Sequence, residues 1–217
     1  MELNEARAQF PILRDRIYLF SGGHSPACSG ARDAAQRIMD DWSYDIADLY
    51  GRLRDEQDVV KGLFAELIGA NSDEIAIVES TGMGSNLAVE MIDSRAGSNV
   101  VFDEWSYPSS IYPWTLPERQ HVERRFVRSR NGLIEIDDLA AVIDDDTLAV
   151  SISHVTQGEG FRQDLAALSE VAHEHGALLL VDAAQSAGAV RIDVHKQGID
   201  FLAAGACKWL LGAAGLA

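Results

Sequence analysis

The sequence predicts an α/β fold: a mostly parallel sheet with helices on both faces. Three observations carry this. From residue 75 onward, short apolar runs alternate with stretches of helical spacing, the pattern of successive βαβ units. Residues 148–154 and 177–181 are apolar or small on consecutive positions, which suits strands covered on both faces. The chain has 217 residues, 47% of them hydrophobic, enough to bury one sizeable core.

The first thirty residues read as irregular, except that 17–20 (Ile-Tyr-Leu-Phe) suggests a short strand before the Gly/Pro turn Ser21–Pro26. Residues 31–42 and 55–68 have helical spacing. In the second, Val59, Val60, Leu63, Phe64 and Leu67 recur at i, i+3 and i+4. Strands are expected at 75–78, 99–102, 122–127, 148–154, 177–181 and 201–204, and helices at 84–93, 137–143 and 165–175. Asp164 and Gly176 bound the last helix as an N-cap and a C′ glycine.

Charge and composition narrow the partners. A formal net charge of −16 opposes binding to nucleic acid or anionic lipid. The start, Met-Glu-Leu-Asn-Glu-Ala-Arg, is too polar for a signal peptide, so a reducing cytoplasm is expected. Cys28 and Cys207 lie too far apart in sequence for a disulfide framework or a zinc site. Residues 201–217 are apolar apart from Lys208, but the lysine and the glycines favour a buried strand and loop over a membrane span.

Lys208 is the most informative residue. It is one of three lysines against 15 arginines, and no other charge occurs in 201–217. Burial disfavours the ammonium form, and a neutral amine attacks aldehydes, so Lys208 is a candidate Schiff-base lysine. Asp182 ends the run Ala-Leu-Leu-Leu-Val-Asp. A carboxylate there serves either as a cap or structural ion pair, or as the partner of a cationic ring nitrogen. Gln185 follows, an amide within reach of the same ligand. The loop Glu79–Asn86 precedes a helical run and acts either as a simple cap or as an anion site at a helix N-terminus. It has neither dinucleotide nor P-loop spacing. The aromatic-rich stretch 103–114 either covers the core or stacks on a flat ring. Phosphate, aromatic face, ring nitrogen and aldehyde are the four handles of pyridoxal 5′-phosphate, and the four features stand at successive strand ends.

With these residues in view, the chain resembles the class V aminotransferase group of fold-type I pyridoxal-phosphate enzymes, which includes cysteine desulfurases, kynureninases and isopenicillin-epimerase-like proteins. The resemblance runs from about Ile17 to the end. It is most specific at 181–188 (Val-Asp-Ala-Ala-Gln-Ser-Ala-Gly), 198–201 (Gly-Ile-Asp-Phe) and 208–212 (Lys-Trp-Leu-Leu-Gly). It implies that Lys208 carries the cofactor as an aldimine and moves the substrate α-proton, and that Asp182 keeps the ring nitrogen protonated. It further implies that Gln185 contacts the ring hydroxyl, Tyr107 stacks on the ring, and Thr81 with the N–H groups of Gly82 and Met83 holds the phosphate. His154 and Gln157 fall where relatives line the pocket.

The implied protein acts on a small amino-acid substrate, by transamination or by carbon–sulfur or carbon–carbon cleavage, and forms a homodimer. Residues 1–50 would be an N-terminal arm and first helix, and 51–217 the cofactor-binding large domain. Three features depart from relatives. Gly205-Ala206-Cys207 precedes the lysine where a hydroxyl or imidazole is usual, and Gly-Ala-Ala-Gly stands at 212–215 where Gly-Pro-x-Gly is usual. The chain also stops nine residues past Lys208, before the C-terminal domain that relatives have, which would leave an apolar sheet edge uncovered. A non-catalytic cofactor- or partner-binding relative, or an inactive truncated fragment, is the alternative.

Overall fold

The computed structural model describes residues 2–217. The helices are α1 (Leu3–Ala8), α2 (Ser29–Tyr44), α3 (Leu49–Ile68), α4 (Thr81–Glu90), α5 (Pro108–Ile111), α6 (Ile136–Ala140) and α7 (Leu165–Glu174). The strands are β1 (Asn99–Asp103), β2 (Glu123–Val127), β3 (Thr147–Ser153), β4 (Leu178–Asp182) and β5 (Phe201–Ala203). They form one sheet in the order β2-β1-β3-β4-β5, with every neighbouring pair parallel.

Why β3 and β4 lack polar alternation is plain from what they touch. Val101, Val150, Ile152, Leu179 and Val181 point to one face, where Leu139 of α6 and Leu165 and Leu168 of α7 cover them. Val100, Phe102, Ala149 and Leu180 point to the other, against Ala88 and Val89 of α4 and Trp114. Both sheet faces are therefore dry, and periodicity of two has nothing to separate. β2 is the exception. It lies at the sheet edge, and its Glu123, Arg124 and Phe126 are exposed.

Local signals set the helix ends. The Asp164 carboxylate accepts the Ala167 N–H at 3.2 Å, and Gly176 takes φ 74° just past α7, a left-handed turn that glycine makes without steric cost. Ser80 caps α4 by accepting the Met83 N–H at 3.1 Å.

Three expectations are corrected. Residues 17–20 form no strand: Ile17 and Leu19 are 86% and 91% exposed, and no neighbouring strand is there to complete a ladder. Residues 75–78 form no regular element and are not part of the sheet. Only Val78 pairs, exchanging two hydrogen bonds with Ala217 at 2.9 and 2.8 Å. The first thirty residues are not wholly irregular, because α1 forms at Leu3–Ala8 with a Glu2/Glu5 capping box.

Candidate active site

The row Ser153, Asp182, Ala203 crosses the carboxyl tips of β3, β4 and β5 in register. Ligands of open parallel sheets lie beyond such tips. Asp182 is buried. One carboxylate oxygen accepts the Ser109 hydroxyl at 2.8 Å, the other the Ala184 N–H at 2.9 Å. Burial pushes its pKa up, opposed by those two hydrogen bonds and by the charge of Lys208. Asp182 is thus an acid held in place, short of a full counter-charge.

Lys208 reaches the site from a loop after β5. Gly188 makes room for that loop. Its φ is 88°, and an added Cβ would come within 2.6 Å of the Trp209 carbonyl oxygen. The turn closes through Leu211 N–H to Lys208 O at 3.1 Å and Gly212 N–H to Ala206 O at 2.8 Å. It holds Leu211 at φ 61°, a conformation unusual for a branched side chain and common around functional sites. The Lys208 ammonium lies 5.7 Å from the centroid of the Tyr107 ring, a cation–π distance. Lys208 is half-buried rather than enclosed, because the adjacent Trp209 and Leu211 are exposed. Tyr107 itself is fixed from below: its N–H donates to Ser153 Oγ at 3.0 Å.

Lys208, Asp182, Tyr107, Gln185 and Gln157 line a single cleft, with Ser153, Val155 and Ala184. The cleft is narrow, about 10 Å³, about the room of one water. Its outer walls, Tyr107 and Gln157, are exposed side chains, so widening it moves surface groups and not the sheet. Gln185 is engaged at both ends of its amide, donating to Gly22 O at 2.8 Å and accepting the Trp209 indole N–H at 2.9 Å.

The remaining expected site residues lie off this cleft. Thr81 and Gly82 open α4, where first-turn N–H groups have no helical partner. The Met83 N–H, by contrast, is taken by Ser80. A Cβ on Gly205 would stand 3.0 Å from Thr81 Oγ1, so the glycine keeps space beside the helix start, three residues before the lysine. His154 follows β3 directly and is buried, with its backbone N–H donating to Asp182 O at 3.0 Å. Burial, aided by Arg162, lowers its pKa to about 4, so the ring is neutral, and its Nδ1 has no partner.

A larger apolar groove of about 630 Å³ runs along the free edge of β5, walled by α3, α4 and residues 75–78. It touches Asp182 from behind but contains no lysine, arginine or histidine. Its chemistry does not suit an anionic ligand. Among the described residues no group of acidic, cysteine and histidine side chains could hold a metal, and no helix is long and apolar enough to cross a membrane.

Reading the sequence alone overlooks Ser109 and Trp209, the groups that hold Asp182 and Gln185. Ser109 stands in the Tyr-Pro-Ser-Ser stretch already noted for its tyrosine. Trp209 follows the lysine directly, and an indole N–H half-covered by protein is a usual sign of a hydrogen-bonded partner.

Comparison with known proteins places this geometry in context. The family model for aminotransferase class V matches residues 17–217. An uncharacterized aminotransferase of Bacillus subtilis, YcbU, is 31% identical over 211 residues, 97% of this chain and 56% of that protein. A probable cysteine desulfurase of Methanothermobacter thermautotrophicus is 28% identical over 220 residues, 99% of this chain and 55% of that one. The crystal structure of the cysteine desulfurase CsdA from Escherichia coli shares the fold, with a TM-score of 0.88 at 21% identity, over 100% of this chain and 57% of that one. The chain spans about half the length of the curated relatives it matches.

Proposed function

The chain belongs to the class V aminotransferase family, and from that premise we propose that it forms the cofactor-binding part of a pyridoxal 5′-phosphate enzyme acting on a small amino acid. One observation carries the reading: Lys208, Asp182, Tyr107 and Gln185 line the same cleft at the carboxyl tips of the sheet. The donor set suits the cofactor, with an amine for its aldehyde, a buried carboxylate for its ring nitrogen, and an aromatic face beside both. When bound, pyridoxal phosphate supplies an aldehyde for the substrate amine and a ring that takes up electrons from the α-carbon.

The residues divide the remaining work. Asp182, buried and held by Ser109 and Ala184, would keep a proton on the ring nitrogen. It does so because a cation beside it relieves the cost of its own burial. Tyr107 would cover one ring face. Gln185 would donate to the ring hydroxyl, and Gln157 would stand at the rim. Thr81 and the free N–H groups at the start of α4 would bind the phosphate, with Gly205 leaving them access. Met83 would serve there through the helix dipole, since its N–H already bonds Ser80. His154, neutral and tied to Asp182 through its backbone N–H, would hold the two strand ends together without adding charge. Lys208, on the same cleft as Asp182, would take the proton from the substrate α-carbon and return it.

Whether the reaction ends in transamination or in carbon–sulfur cleavage turns on groups outside this cleft. Relatives with both kinds of name match the chain. A homodimer accords with the exposed apolar side chains of the N-terminal helices, Trp42, Tyr44 and Tyr50 among them. A cytoplasmic location accords with the two free cysteines.

The test is chemical. Borohydride reduction of the protein with pyridoxal 5′-phosphate should leave a pyridoxyl group on Lys208, and Lys208→Ala should leave none. An adduct confined to Lys61 or Lys196 would end this assignment. Visible absorbance that never changes on adding any amino acid would favour a non-catalytic binding protein.

A further inference from the structure

The Gln185 side chain is held more tightly than a ligand contact requires. An indole N–H can only donate and a backbone carbonyl can only accept. The Trp209 bond at 2.9 Å and the Gly22 bond at 2.8 Å therefore fix which end of the amide is which. The oxygen is turned to Trp209 and the nitrogen to Gly22. One amide N–H is left over on a side chain that lines the cleft with Lys208 and Asp182.

The same amide ties together segments 163 residues apart. Gly22 belongs to a loop that otherwise meets the lysine loop through the Ser25 N–H on Cys207 O, at 2.7 Å. That loop is packed closely on the amide: an added Cβ at Gly22 would come within 3.3 Å of Gln185 Oε1. Trp209 stands next to the lysine in sequence and is 38% exposed, so its hydrogen bond, more than its burial, decides where the Gln185 amide points.

We infer that Trp209 is a positioning residue: its indole N–H locks Gln185 as a hydrogen-bond donor to the cleft and, through the same amide, couples the Ser21–Ser25 loop to the lysine loop. The donor role rests on the pyridoxal-phosphate reading, because it supposes a ring oxygen in the cleft. The coupling does not.

Two measurements separate these. In the protein without cofactor, hydrogen–deuterium exchange over residues 21–25 should speed up about tenfold in Trp209→Phe, which keeps an aromatic side chain but loses the indole donor. Gln185→Glu should do the same, since it still accepts from Trp209 but cannot donate to Gly22. Unchanged exchange in both variants overturns the coupling. In protein loaded with pyridoxal 5′-phosphate, the pH midpoint of the visible absorbance should move up by about one pH unit in Trp209→Phe and in Gln185→Ala, because an oxygen that loses a donor holds its proton more tightly. A shift in Gln185→Ala with none in Trp209→Phe overturns the positioning role and leaves the cofactor reading standing. No shift in either variant, with colour still lost in Lys208→Ala, overturns the donor role of Gln185 itself. If wild type takes up no cofactor, the cofactor reading has failed, and the exchange rates alone uphold or overturn the coupling.

Discussion

Helices α2 and α7 make an instructive pair. Both were legible from apolar residues at helical spacing, and both carry apolar side chains along one face. α7 lies on the sheet and buries Leu165, Leu168, Ser169 and Ala172. α2 buries no residue, and Ile38, Met39 and Trp42 remain 41%, 53% and 62% exposed. Periodicity states that a face is to be covered. It does not state what covers it. The apolar side chains that α7 lays on the sheet are therefore covered within this chain, whereas those of α2 remain exposed.

That contrast can be broken at several points. The largest effect is expected at Leu168, which is fully buried. Leu168→Ala should cost about 2–5 kcal/mol in urea unfolding, and a cost below about 1 kcal/mol would mean that α7 is not fixed on the sheet. Next comes His154. Its folded pKa, about 4, lies below its usual 6.5. The folded state resists taking the proton, so stability is full above pH 6.5 and falls as pH drops toward 4. The loss should reach up to about 3 kcal/mol. In His154→Gln that slope should flatten, and an unaltered slope would show that the imidazole is not held neutral.

A smaller effect is expected from Ser109→Ala, which strips one donor from the buried Asp182 carboxylate. The cost should be about 1–3 kcal/mol at pH 7. It should shrink on acidification, because a protonated carboxyl needs the donor less. The smallest is at Trp42. Trp42→Ser should leave the stability of the monomeric chain within about 0.5 kcal/mol. If it instead unfolds the protein, α2 is covered within the chain after all, whereas a lower mass in solution would mean that a second copy covers it.

Two of the three corrections share a cause. Residues 17–20 and 75–78 have strand composition, yet neither is part of the sheet. A strand exists only where a second backbone lies alongside, and composition cannot supply that neighbour. α1, missed in the sequence, is six residues long and rests on its capping box, too short for apolar periodicity to register. In the site, Lys208, Asp182, Gln185 and Tyr107 could be picked out because each sits in a recognisable local run. Their supports could not. Ser109 lies 73 residues from Asp182, and Gly22 lies 163 from Gln185.

The sequence by itself determined the βαβ alternation, the strands dry on both faces, the caps of α7, and the presence of a carboxylate at one strand end and a lysine after another. Each is written in neighbouring residues through side-chain period or backbone preference. Tertiary structure alone decided that Lys208 and Asp182 share a cleft, which polar groups hold each contact residue in place, and which apolar helix faces are covered. Those outcomes depend on strand order and register, which bring distant residues within hydrogen-bond reach and leave no trace in local pattern.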